Sequence, residues 1–351
     1  MVSVERKNIL IFHPGTIGDV LAFLPVYDHI RKLHPDDRII QMCLSRRQAE
    51  VAHELLLPTP YVDEVIYADV VSGSVPLRCF RLWRAALKLR SPANDTLYFC
   101  AGGWPRQMQL FRRYMTFLRF AGFRRVVGGA DPAGYSDIRQ ETPRQYQMFM
   151  RFLFGKDDGA GPFDIALSDD EQRSARAVME SFCIPEGKIP VAIGIGGKKQ
   201  VCLYPPKQYI EVLRLLPESL NLFPVLFGGS DAKGAEQEIL AAFPRGHVGS
   251  MLDRGLNLRE TIALLSLCRL YCGNDTGTMH MAAAAKIPCI GIFAAHTYRG
   301  KWSPIGERNI VLRHDPACAG CLRTRCDSDP ARCIAAVTPH EIYDAIKKIL
   351  N

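Results

Sequence analysis

The sequence predicts an α/β protein of two halves, each a parallel sheet flanked by helices. Three observations carry that reading. Short β-branched apolar runs alternate with longer stretches of helical periodicity, the pattern of βαβ units. The alternation pauses at a Gly/Asp-rich segment, residues 155–170, and then begins again. At 351 residues the chain also exceeds the ~250–300 at which a single core usually stops growing.

The elements follow in order. Asn8 to His13 (NILIFH) predicts a strand buried on both faces, and Val20 to Leu33 a helix bent at Pro25. Arg38 to Cys43 predicts a strand, Gln48 to Leu56 a helix, and Val62 to Tyr67 a strand. A basic helical region comes next, interrupted near Asp95 to Cys100 by a further strand. Beyond the linker, Asp170 to Phe182 predicts a helix that opens with acids, as its dipole favours. Strands are then expected at Pro190 to Ile195, Leu222 to Phe227, Leu270 to Cys272 and Cys289 to Phe293. Helices are expected at Pro206 to Leu216, Asp231 to Ala242, Leu258 to Leu267, Thr278 to Ala285 and Thr338 to Leu350. Residues 1–170 and 171–337 are the expected domains, with residues 338–351 as a terminal helix.

Composition narrows the class. With 48% hydrophobic and 23% charged residues, the chain is neither disordered, collagen-like nor a coiled coil. No apolar run reaches the ~18 residues of a spanning helix; the longest candidate, Met281 to Ala295, is broken by Lys286 and Pro288. The N-terminus lacks the pattern of a signal peptide, so a cytoplasmic location is expected. Charge is unevenly spread. Pro76 to Arg125 holds eleven basic residues, Arg112 and Arg113 among them, against Asp95 alone. Such a field draws nucleic acid, an anionic membrane face or a phosphorylated glycolipid; the plainer alternative is a set of solvated helix faces whose Arg stems cover apolar surface.

Four loops carry chemistry. His13-Pro-Gly-Thr-Ile-Gly-Asp19 joins the first strand to the first helix, where open α/β sheets bind ligands, and Gly15 and Gly18 admit close backbone approach. Asp19, in the first helical turn, is either a dipole-stabilising acid or a general base. Gly194-Ile-Gly-Gly-Lys198-Lys199 offers amides and ammonium groups to a diphosphate, and Gly228-Gly-Ser-Asp231 a carboxylate to a ribose diol. Cys272-Gly-Asn-Asp-Thr-Gly-Thr-Met-His280 ends a strand, turns, and opens a small-residue helix. Amides around Thr276 and Gly277 form an anion site there, with His280 nearby. Of twelve cysteines, eight are scattered among apolar neighbours. The others, Cys318, Cys321, Cys326 and Cys333, cluster near the C-terminus, where four thiolates suit zinc or iron, free thiols or disulfides. The D-x-D string Asp327-Ser-Asp329 lies inside that cluster and is discounted as a metal–diphosphate site.

Read together, ILIFHPGTIGDVLAFLP, GNDTGTMHMAAAAKIPCIGIF and the tail WSPIGERN…CAGCLRTRC resemble the bacterial lipopolysaccharide heptosyltransferases, glycosyltransferase family 9. The resemblance implies a GT-B architecture: two Rossmann-like domains facing across a cleft, with the last helix packing back on the N-terminal one. It implies inverting transfer of heptose from ADP-L-glycero-D-manno-heptose to a phosphorylated lipid A–inner core acceptor at the cytoplasmic face of the inner membrane. No cofactor or nucleic acid is implied for catalysis. Asp19 would be the base; Asp275, Thr276, Gly277 and His280 would hold the donor. Gly15, Thr16, Gly18, Arg112 and Arg113 would meet the acceptor. Relatives that modify secreted proteins hold iron at similar cysteines, so a structural zinc or iron is expected at the tail cluster. The family's Lys before Trp-Pro is missing: Tyr204-Pro205 replaces Trp-Pro and Cys202 the lysine, so either Lys198 or Lys199 supplies the charge or phosphate binding is weaker, with Asp231 as the approximate ribose-binding acid. The rivals are the same fold with another donor or a protein acceptor, a nicotinamide oxidoreductase lacking the usual GxGxxG, and a non-enzymatic module gripping anionic lipid.

Overall fold

β1 (Asn8–Phe12) is buried along its whole length, as its unbroken apolar run predicts. In this computed structural model, which describes residues 6–101, 114–130, 141–155, 163–216, 220–328 and 332–351, β1 is the centre of the first sheet. β2 (Arg38–Cys43) and β3 (Glu64–Tyr67) lie to one side of it, β4 (Asn94–Ala101) and β5 (Arg125–Ala130) to the other. The order is β3-β2-β1-β4-β5, and every pairing is parallel. The helix expected over Val20 to Leu33 is two: α1 (Ile17–Ala22) and α2 (Leu24–Leu33). Pro25 does not bend a continuous helix. It sits in the first turn of α2, where its missing N–H has no partner to lose. α3 (Arg46–Leu56), α4 (Val75–Leu89), α5 (residues 114–120) and α6 (Gln145–Phe154) complete the layers. One face of the sheet packs Phe12 and Phe99 against Leu82, Ala86 and Leu118 of α4 and α5.

The second sheet contains β6 (Ile189–Gly194), β7 (Leu222–Phe227), β8 (Gly249–Ser250), β9 (Tyr271–Asn274), β10 (Cys289–Phe293) and β11 (Ile310–Arg313). Its order is β11-β10-β9-β6-β7-β8, again all parallel. Around it run α7 (Asp169–Glu180), α8 (Pro206–Leu215), α9 (Lys233–Ala241), α10 (Leu258–Ser266), α11 (Gly277–Ala284), α12 (Arg332–Ala335) and α13 (Pro339–Leu350). β5, β8, β11 and α6 were not expected from the sequence.

The chain divides into two compact units, one of residues 1–136 and 145–166, the other of residues 137–144 and 167–351. Both sheets are doubly wound. The connections reverse direction between β1 and β4 in one and between β6 and β9 in the other, which are the places where such sheets take ligands. One expectation is corrected. The terminal helix, expected to pack back on the first domain, buries Ile342, Ala345, Ile346 and Ile349 of α13 in the core of the second unit, with Val212 of α8 and Ile290 of β10. Among the described residues no helix is long and apolar enough to cross a membrane.

Candidate functional site

The first unit's switch point carries the loop between β1 and α1. Thr16 caps α1, and both its backbone N–H and its hydroxyl donate to Asp19 Oδ2, at 2.7 and 3.0 Å. A Cβ on Gly15 would stand 2.5 Å from the Asp19 Cβ, so the loop closes over the carboxylate only with glycine there. Asp19 is thus fixed by its own turn, with one oxygen engaged locally. Gly18 lies in the first turn of α1 beside it.

Beneath this loop lies a buried polar ring that the sequence reading missed. His13 stacks on Phe23 (centroids 4.0 Å, planes 16° apart), and its Nδ1 is 3.2 Å from the Tyr27 hydroxyl. That hydroxyl donates to Gln41 Oε1 at 3.1 Å, and Gln41 Nε2 donates to the His13 carbonyl at 2.9 Å. Since the Tyr27 proton goes to Gln41, the phenolic oxygen accepts from Nδ1–H, which sets the His13 tautomer. Burial lowers the His13 pKa to about 4, against the opposing pull of the Asp19 charge. The imidazole is therefore neutral at physiological pH. Nothing in the spacing of His13, Tyr27 and Gln41 marks them as partners; the parallel pairing of β1 with β2 sets Gln41 beside the end of β1, and α2 supplies Tyr27.

At the second switch point, the loops after β6, β7 and β9 converge. Asn274 is their hub. Its Oδ1 accepts from the Tyr204 amide (3.1 Å) and the Tyr209 hydroxyl (3.0 Å), and its Nδ2 donates to the Gly196 carbonyl (3.1 Å). Asp231 Oδ2 accepts the Gly197 amide at 2.6 Å, so this carboxylate braces the glycine loop. A Cβ on Gly197 would lie 3.0 Å from Leu203 Cδ2 and 3.1 Å from Thr276 Cγ2, which seats the loop against the start of α11. Thr276 is the N-cap of α11 but makes no side-chain cap, so the first-turn amides from Gly277 onward are not closed off by it. His280, one turn in, is buried with its ring 6.2 Å from that of Trp302.

The electrostatics of this corner are unusual. Burial raises the Asp275 carboxyl to about 7, with the charges of Lys199 and Arg313 pulling the other way. Both lysines are exposed, and Lys199 is the one whose charge bears on Asp275 and His296. Cys202, standing where the family has lysine, is pushed up to about 12 by burial and supplies no charge. Its sulfur lies 3.8 Å from Nδ1 of His296, itself lowered to about 4, first by burial and then by Lys199 and Arg313. Arg313, at the end of β11, has a side chain only 2% exposed; Nε reaches Asp315 Oδ1 at 2.6 Å. Its Nη1 and Nη2 are buried with no hydrogen-bond partner. A sequence reading that missed β11 had no means of placing this cation at the site.

The four tail cysteines line one cavity of about 220 Å³, together with Val201 and Ala295. Their loop is stitched to the segments after β6 and β10: Cys326 N–H donates to Gln200 Oε1, Gly320 N–H to the Ala295 carbonyl and Leu322 N–H to the His296 carbonyl, at 2.9, 2.7 and 2.8 Å. Thiolates suit a soft ion, but these thiols do not converge. Among the described residues no three His, Cys, Asp or Glu groups are grouped to hold a metal, and the four sulfurs are free thiols. Arg112 and Arg113 lie outside the described residues.

Comparison with known proteins places these features. Residues 140–332 match the model of glycosyltransferase family 9 (heptosyltransferase). A lipooligosaccharide heptosyltransferase 2 of Campylobacter jejuni is 30% identical over 86 residues, 24% of this chain; that match spans about a quarter (27%) of the relative's length. Among solved structures, a family 9 glycosyl transferase from Veillonella parvula has a TM-score of 0.77 at 16% identity, covering 98% of this chain and 97% of that one. The ADP-heptose lps heptosyltransferase II of E. coli has a TM-score of 0.71 at 17% identity, covering 98% of each. These likenesses extend the fold over nearly the whole chain. The family match spans more than half of it, including the loops after β6, β7 and β9, and the chain belongs to glycosyltransferase family 9, the heptosyltransferases.

Proposed function

We propose that the chain transfers heptose, with inversion, from ADP-L-glycero-D-manno-heptose to a hydroxyl of a phosphorylated lipid A–inner core acceptor at the cytoplasmic face of the inner membrane. The observation that supports this best is the convergence at the second switch point of the first turn of α11, which Thr276 does not cap, Lys199, and Arg313, whose Nη1 and Nη2 have no hydrogen-bond partner. A departing nucleoside diphosphate supplies the negative charge such a corner lacks.

The acceptor oxygen attacks C1 of the heptose and gives its proton to Asp19. The C1–O bond to ADP breaks, and its electron pair leaves on the diphosphate. Positive charge grows on the sugar while negative charge grows on ADP. Amides at Thr276 and Gly277 with Lys199, and Lys198 when the loop is engaged, stabilise that ADP, which is the work a divalent metal does elsewhere. Asp275 and His280 orient the donor. Asp231 keeps Oδ1 for the ribose diol while Oδ2 holds the Gly197 amide. Gly15, Thr16 and Gly18 frame the acceptor hydroxyl beside Asp19, and Arg112 and Arg113 meet its phosphates. A structural zinc or iron at Cys318, Cys321, Cys326 and Cys333 would require those thiols to draw together around the ion. Metal analysis of protein purified without chelator tests that part.

A donor panel read by thermal shift tests the main reading. ADP-heptose raises the melting temperature by mass action, whereas UDP-GlcNAc and GDP-mannose do not. Stabilisation by UDP-GlcNAc with no response to ADP-heptose contradicts it.

A further inference from the structure

α4 carries two apolar stripes. Leu82, Ala86 and Leu89 are buried in the first unit's core. Phe80, Trp83 and Leu87 lie on the roughly opposite side at about 100° per residue, and all three are exposed, Phe80 by 54% and Trp83 by 46%. The Phe80 and Trp83 rings are 6.3 Å apart, so the outer stripe is one contiguous surface. Phe120 at the end of α5, 46% exposed, lies under the guanidinium of Arg90, the residue that follows α4, at 5.2 Å. A helix whose inner face is already satisfied has no folding reason to present two aromatic rings and a leucine to water.

The charge around these rings identifies the occupant. α4 contains Arg78, Arg81, Arg84 and Lys88 and no acid. We propose that the outer face of α4 is a docking surface for an anionic lipid bilayer, with Phe80, Trp83 and Leu87 entering the headgroup–acyl boundary and Arg84 and Lys88 meeting lipid phosphates. Aromatic rings flanked by cations on one helix face are what an interfacial helix presents, and the 15-residue α4 lies on the surface rather than spanning it. A second copy of the chain is a poorer occupant because it would set two cationic faces together. Nucleic acid would use the cations but leave the exposed aliphatic and aromatic stripe unexplained. The inference rests on the proposed function only in making a membrane-borne acceptor useful; the patch itself stands without it.

The test is vesicle co-sedimentation of the full chain. With vesicles of phosphatidylcholine and phosphatidylglycerol mixed roughly 2:1, the chain sediments, and with phosphatidylcholine alone it stays in solution. Phe80→Ser/Trp83→Ser, both at exposed positions, weakens binding at least about tenfold. Arg84→Glu/Lys88→Glu does the same and removes the salt dependence. ADP thermal shift, which reads the second unit, stays at the wild-type value in all variants. Equal binding to both vesicle types, variants that bind like wild type, or a concentration-dependent dimer abolished by Phe80→Ser/Trp83→Ser would overturn the proposal. Loss of the ADP response in wild type alone would instead overturn the donor assignment and leave the docking surface standing.

Discussion

Asp275→Asn should stabilise the protein while damaging the site, and the gain should depend on pH. In the folded chain the Asp275 carboxyl titrates near 7, against 3.8 for an ordinary aspartate. A carboxyl whose folded pKa is raised binds protons more tightly when folded. Stability is therefore lost as pH rises from 3.8 and levels off above 7. At pH 8 the whole shift counts, an upper bound of about 4 kcal/mol at ~1.4 kcal/mol per unit; at pH 5 less than half of that is present. Asparagine has nearly the same shape and never ionises. The stabilisation by Asp275→Asn should consequently be larger at pH 8 than at pH 5 by at most about 2–3 kcal/mol, roughly 5–10 °C in melting temperature for a unit of this size. Calorimetry of both proteins across that range measures it. A melting-temperature difference that is flat between pH 5 and 8 would refute the claim that burial dominates at Asp275.

Other outcomes follow from the same geometry. Asn274→Ala strands the Tyr204 amide and the Gly196 carbonyl and leaves the Tyr209 hydroxyl with the Gly194 carbonyl alone, and chemical denaturation should register a loss of about 2–5 kcal/mol. Glu171→Ala leaves the buried Arg259 without its carboxylate, a loss of about 3–5 kcal/mol. In the wild type that pair's contribution, carried by a lowered Glu171 pKa, is present above 4.5 and fades as pH falls below it. Tyr27→Phe breaks the bridge between His13 and Gln41; we expect turnover to fall more than acceptor KM changes, and steady-state kinetics separates the two. His13, with its pKa lowered to about 4, favours the folded state fully above 6.5 and less as pH drops toward 4, so His13→Gln should flatten acid unfolding in that window.

Much of this architecture is legible in the residues. Fully buried strands such as β1 and β7 announce themselves as unbroken apolar runs, and the glycine loops after β1, β6 and β7 fall where the strands end. What is illegible is illegible for physical reasons. β8 is two residues long, too short for periodicity, and β5 begins with Arg125 and contains Gly128 and Gly129, so it lacks an apolar signature. Missing β11 hid Arg313. The His13–Tyr27–Gln41 ring joins residues brought together by the pairing of β1 with β2 and the placement of α2, and the hub role of Asn274 depends on three loops converging. α13 was misplaced because an amphipathic helix declares that it has an apolar face but not which core receives it.

The central claim is that Asp19 takes the acceptor's proton while the second unit holds the departing ADP. Release of ADP from ADP-heptose in the presence of lipid acceptor, compared between wild type and Asp19→Asn, tests it most directly. An asparagine at that position still accepts the Thr16 donors but cannot take a proton. Turnover should fall about 10²–10⁴-fold with ADP binding retained. Asp19→Asn turning over at the wild-type rate would contradict the account.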